Sequence, residues 1–343
     1  MSGSVMNKTK KINLRCLAGL VFQAAFPLVP LVFFIVSNCS ASALEKNGPV
    51  SLTEHFSLGA KVKYYFRSHT SYEFGNPVPP YQAPLSRLEF PLNSWWGGLE
   101  MRLNFPRFSV GLEALTNISQ NAHGNMEDSD WDDDARPDVK TIYSQSQMRV
   151  GPSYMARADV DLEVADWFGL PKWLSIRPLV GMRWQKFNLM AHDGIQYDYP
   201  SGATPLMLYG DSIRFKQTYW QYFVGIRANM DLTKLTGVPS LRLLAQFDWA
   251  YVEGQNEDNH LLRAGHRFTC EDTYGHAWHG SIGLKKDLWK NFTIGLDADY
   301  LAISTTGNHR MLNRPMGIDM SLSNGVKVWS DQASVSLTLG YRF

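Results

Sequence analysis

The chain has 343 residues, a formal net charge of +1 and three cysteines. Near-neutral charge argues against a nucleic-acid partner. With only Cys270 beyond the N-terminal segment, disulfides cannot hold a monomer together.

Residues 1–15 carry Lys8, Lys10, Lys11 and Arg15 and no acid. An uncharged run follows to Ala43, with the apolar heart LVPLVFFIV and the small residues Ala41, Ser42 and Ala43 at its end. That sequence of basic, apolar and small stretches predicts a secretory signal peptide over 1–43, cleaved after Ala43. Pro27 and Pro30 inside the apolar run favour removal over a retained transmembrane anchor. No linker or repeat divides residues 44–343, so one domain is expected there.

From residue 55 onward the dominant period is two. In FSLGAKVKYYF, Phe56, Leu58, Ala60, Val62, Tyr64 and Phe66 share one face, with Lys61 and Lys63 on the other. Ala156 to Val164 oppose Arg157, Asp159, Asp161 and Glu163. Leu241, Leu243, Ala245, Phe247, Trp249 and Tyr251 alternate with Arg242, Gln246 and Asp248, and Phe292 to Ala302 oppose Asp297 and Asp299. The chain ends on the alternating ASVSLTLGYRF. Charges at every second position of an apolar strand predict one face on lipid and one on a polar lumen. The expected fold is an all-β, ten-stranded antiparallel transmembrane barrel. Its strands should lie near 55–67, 85–105, 107–118, 147–166, 172–191, 210–231, 239–254, 273–287, 290–304 and 326–343.

Short connections are expected at 106–107, 166–172, 231–240 and 287–291, and long polar loops near 68–84, 119–146, 192–209, 255–272 and 305–325. Several strands exceed the ~9–11 residues that cross a bilayer. A vase standing above the membrane on the long-loop side is therefore expected, its mouth facing the exterior. A lumen of this strand number should be filled by paired inward charges and not open as a channel.

Two of the long loops concentrate ionisable groups: Glu127, Asp128, Asp130 and Asp132 to Asp134 in one, Asn256, Glu257, Asp258 and His260 in the other. An acidic run is most often a solvated surface. An EF-hand reading fails because Asp133 and Val139 stand where glycine and the last glutamate belong, and zinc held by His260 and His266 lacks a supporting spacing. In extended backbone Asp128 and Asp130 point the same way, as do Asp258 and His260. Facing one another, such pairs could hold and deprotonate a water.

The stretches GNMEDSDW (124–131) and EGQNEDNH (253–260) resemble the two active-site segments of the omptins, outer-membrane endopeptidases of Gram-negative bacteria. FKQTY in the sixth expected strand, AHDGIQY after the fifth and the closing GYRF extend the likeness through most of the domain. The resemblance implies that Asp128 and Asp130 form the catalytic aspartate couple, and Asp258 and His260 the Asp–His dyad. It also implies cleavage of exposed polypeptides by an activated water, without a covalent intermediate or cofactor, in a monomeric barrel. Asn256 departs from the family, which places an aspartate there to receive a basic side chain; Glu73 is the nearest candidate for the other acidic specificity residue. For lipopolysaccharide on the outer wall, Lys186 fits one family position, but Trp184 and Thr218 replace an acid and an arginine, which weakens the expectation of lipid dependence. The competing reading is a non-enzymatic barrel acting as a pore, an adhesin or a structural protein.

Overall fold

A computed structural model describes residues 56–76, 82–263, 265 and 267–343. The expected signal peptide and His266 lie outside them. The strand β1 (Phe56–Asn76) runs the full height of the wall and is followed by β2 (Gln82–Pro91), β3 (Trp95–Asn104) and β4 (Phe108–Asn117). Then come β5 (Met126–Asp130), β6 (Ile142–Val150) and β7 (Tyr154–Leu162). The long hairpins follow: β8 (Leu174–Asp198), β9 (Leu206–Asp231), β10 (Leu241–His260), β11 (Arg267–Asp287), β12 (Phe292–Asn313) and β13 (Ile318–Arg342).

Among the described residues, all 13 strands belong to one antiparallel sheet that closes through β13–β1 pairing. Between β1 and β8 the wall divides by height. On the short-turn side the ladder runs β1–β3–β4–β7–β8, and on the other side β1–β2–β5–β6–β8. Either level is a ring of ten staves, as the period-two pattern predicts. The extra strands arise because three staves break, at 92–94, 118–125 and 151–153.

The strands reach much further than the apolar alternation. The ladder of β10 continues through Asp258 and His260 to Leu261, and β5 and β6 occupy part of the expected 119–146 loop. The physical reason is visible on β10. Its outward residues are apolar to Tyr251 and then become Glu253, Gln255, Glu257 and Asn259. Above the lipid both faces can be polar, so the hydrophobic period fades while the hydrogen-bond ladder persists. Exposed Trp95, Tyr154, Trp220, Tyr251 and Tyr300 mark the upper limit of the lipid-facing band. Asp258 lies seven residues beyond Tyr251, roughly 23 Å along a strand at ~3.3 Å per residue. The site described below therefore stands outside the membrane-spanning segments.

Inside the spanning part, several inward charges are paired as expected. Lys61 contacts Glu100 at 2.7 Å and also Glu113, Lys63 approaches Asp299 at 3.7 Å, and Arg157 meets Asp159 at 3.2 Å. They line a polar cavity of about 560 Å³. Above it the waist is packed with buried Tyr65, Trp96, Phe187, Tyr219 and Phe223. Trp96 meets Phe187 edge-on at 5.9 Å, and Gln185 bonds Gln332 across the lumen at 2.8 Å.

Candidate active site

Asp128, Asp130, Asp258 and His260 arrive on strands, whereas Asp132 to Asp134 stay in the connection between β5 and β6. Asp128 and Asp130 belong to β5, which is only five residues long and is held by β2 on one side and β6 on the other. Asp128 pairs in register with Leu88, which is fully buried in the lumen, so its own side chain points inward. Asp258 and His260 end the inward face of β10. Counting β1 as the first stave of the upper ring, β5 is the third and β10 the seventh, so the two pairs stand on nearly opposite walls.

Within the second pair, Nε2 of His260 lies 2.9 Å from Oδ2 of Asp258. The same oxygen accepts a hydrogen bond from the Tyr72 hydroxyl, while Oδ1 is buried without a partner. Burial opposes the charge of Asp258. The adjacent His260, followed by the hydrogen bonds from His260 and Tyr72, nevertheless holds its carboxyl below the usual range. Asp128 goes the other way. Burial first, and then the charge of Asp130, raise it to about 6, against the pull of His260, Arg267 and Arg263. Arg263 approaches Asp130 at 3.9 Å, and a guanidinium nitrogen of Arg267 lies 3.0 Å from Nε2 of His260. All four sequence candidates thus face inward at the same end of the barrel, with Arg263 and Arg267 between the two pairs.

Asn256 is on the same inward face, two residues below Asp258, buried and with neither amide atom hydrogen-bonded. Its register partner on β11 is Glu271, a buried carboxylate 2.9 Å from His309. Burial is the main force raising Glu271, with the charge of Asp258 adding to it. The sequence reading missed this pair, because nothing in CEDTYGH distinguishes an inward Glu271 from its outward neighbour Asp272.

Glu73 does not reach the cleft. One extra residue in β1 between Phe66 and His69, with Arg67 at φ 47°, makes a bulge. A bulge of one residue exchanges the faces of everything after it. Even-numbered residues face lipid up to Phe66, whereas Thr70, Tyr72 and Phe74 point inward. Glu73 is left on the outer wall, bound by Arg87 at 2.7 Å. Lys186 is also on the outer wall, level with Tyr154 and Thr218 and one outward position beyond the Trp184–Trp220 pair. Among the described residues, no cluster of three or more His, Cys, Asp or Glu could hold a metal ion.

The fold and cleft define a class: a ten-stave outer-membrane barrel with opposed acid–base pairs above the lipid. The Omptin family model matches residues 94–343, and the chain belongs to that family. Among solved structures, it is similar to the outer membrane protease OmpT from Escherichia coli, with a TM-score of 0.73 and 14% identity, covering 86% of this chain and 99% of that one. The translocator domain of the autotransporter NalP from Neisseria meningitidis also aligns, at a TM-score of 0.35 and 9% identity over 92% of this chain and 96% of that one. No curated protein sequence matches the chain.

Proposed function

We propose that this barrel is a cell-surface endopeptidase of the aspartic type that hydrolyses exposed polypeptides with a water held between its two walls. The observation that carries this reading is that Asp128 and Asp130 face the Asp258–His260 dyad from a nearly opposite stave beyond the lipid-facing band, with Arg263 of the dyad's wall 3.9 Å from Asp130. Asp128 and Asp130 would fix the water. With Nε2 of His260 engaged by Asp258, Nδ1 would take the proton as the water oxygen attacks the scissile carbonyl. Asp258 stabilises the imidazolium that results, and the imidazolium returns the proton to the departing amine. No side chain is acylated along this path. Buried and unpartnered, Asn256 lies where a substrate side chain next to the cut bond would be read, and Lys186 is the outer-wall residue suited to lipopolysaccharide.

The mouth would face the cell exterior, with the short turns in the periplasm, and the barrel would act as a monomer without a cofactor. A pore is disfavoured by the filled waist. The test is mass-spectrometric mapping of cuts in a random peptide library by the refolded barrel, with and without lipopolysaccharide. Cuts made by the wild type and not by His260→Ala support the reading. A folded barrel that makes no cuts in either condition overturns it.

A further inference from the structure

Asp258 has two oxygens, and only one is used. Oδ2 takes both the Tyr72 hydroxyl and the His260 contact, whereas Oδ1 is enclosed without a partner. A carboxylate held by a single neighbour can rotate about its last torsion, a broad and soft one. The second contact to Oδ2 fixes which oxygen meets the imidazole.

Tyr72 is itself held firmly. It is fully buried on β1, between Leu88 and Val328 in register, both of them also fully buried. Its ring stacks on Phe215 at 5.6 Å and 13°, and Phe215 stacks on Phe90 at 4.2 Å and 5°. On its other side Phe74 lies at 6.4 Å, itself stacked on His309 at 4.6 Å. Five rings from β1, β2, β9 and β12 therefore form a continuous stack beside the dyad, and Tyr72 is the member whose hydroxyl reaches Asp258. Phe215 is in turn the register partner of Asp258 on β9, so the stack and the carboxylate share one level of the wall.

We propose that Tyr72 is a positioning residue for the reaction: its hydroxyl, clamped by the ring stack, orients the Asp258 carboxylate toward His260. This rests on the peptidase reading above. Tyr72 touches no reacting atom; it acts through Asp258. Burial and the charge of Asp258 push the Tyr72 hydroxyl well above its ordinary value, so it remains a donor throughout the working pH range. The residue lies in the part of the barrel that precedes the family match, 94–343, and reaches its partner only because the bulge at Arg67 turns it inward.

The test uses the refolded full chain as wild type, Tyr72→Phe and Asp258→Asn. Tyr72→Phe keeps the stacked ring and removes only the hydroxyl. On a peptide that the wild type cuts, kcat should fall on the order of 10- to 100-fold, as for loss of a hydrogen bond to a charged group, with KM changed less than about twofold. An infrared titration of the carboxylate bands, assigned by their loss in Asp258→Asn, should show Asp258 protonating at higher pH in Tyr72→Phe. A donor to the charged form has been removed, and a purely packing role would leave that titration unmoved. Unchanged kcat, or a fallen kcat with an unmoved Asp258 titration, overturns the proposal. A wild type that cuts no peptide overturns the peptidase reading instead, and the infrared titration still decides whether Tyr72 governs Asp258.

Discussion

Replacing Asp128 with asparagine should make the barrel more stable and far less active. Asp128 is raised from 3.8 to about 6, chiefly by burial and secondly by Asp130. At ~1.4 kcal/mol per pKa unit, its ionised form costs the native state roughly 3 kcal/mol at pH 8. The native protein keeps a proton that the unfolded chain has lost between about pH 4 and pH 6. Wild-type stability therefore declines as pH rises through that window and stays lower above it. The amide of the Asp128→Asn variant has nothing to ionise, so the variant should match the wild type near pH 4 and exceed it by up to roughly 3 kcal/mol at pH 8. The assay is reversible denaturant unfolding in one detergent at both pH values, followed by the mobility difference between folded and unfolded barrel. Turnover of a peptide substrate, measured in parallel, should fall by about 10²- to 10⁴-fold if Asp128 holds the water. A variant no more stable at pH 8 than at pH 4, relative to wild type, refutes the electrostatic account. Undiminished turnover refutes the assignment of Asp128 to the mechanism.

His260→Ala should abolish cleavage while leaving the heat-modifiable barrel intact, since His260 sits at the rim end of β10; retained activity in a peptide assay removes the dyad. Asn256→Asp should shift cleavage toward basic residues, because a second carboxylate opposite Glu271 leaves the pocket short of a cation; an unmoved library profile would count against this pocket. Phe215→Ala should cost about 3–5 kcal/mol in unfolding experiments and lower kcat as well, because it removes the ring between Tyr72 and Phe90; a loss under ~1 kcal/mol would show that the stack does not hold the upper barrel.

What the sequence discloses depends on where lipid meets the wall. Leu241 to Tyr251 can be read as a strand because water and hydrocarbon lie on opposite faces, and the same contrast makes the ring of ten countable. Glu253 to His260 carry no such contrast, so the continuation of β10 is invisible in the sequence, as are β5 and β6 within the expected loop at 119–146. The spacing of two in Asp128–Asp130 and Asp258–His260 is enough to place each pair on one face. Their meeting depends on staves that local pattern does not relate. Tyr72 and Asp258 are 186 residues apart in the chain, and no periodicity joins them. Glu73 fails for a different reason: a single extra residue at Arg67 reverses the alternation, and Arg is not a residue that advertises a positive φ.

The packed waist also has an electrical meaning. Trp96, Phe187 and the Gln185–Gln332 bridge fill the lumen between the cavity below and the site above. In a planar bilayer the wild type should therefore add no steady conductance, and stepwise currents would contradict this packing. A barrel insulated at mid-height can be present in many copies without dissipating ion gradients. Under the proposed reading, substrates, protons and products would exchange on one side only, so such a barrel would need no gate.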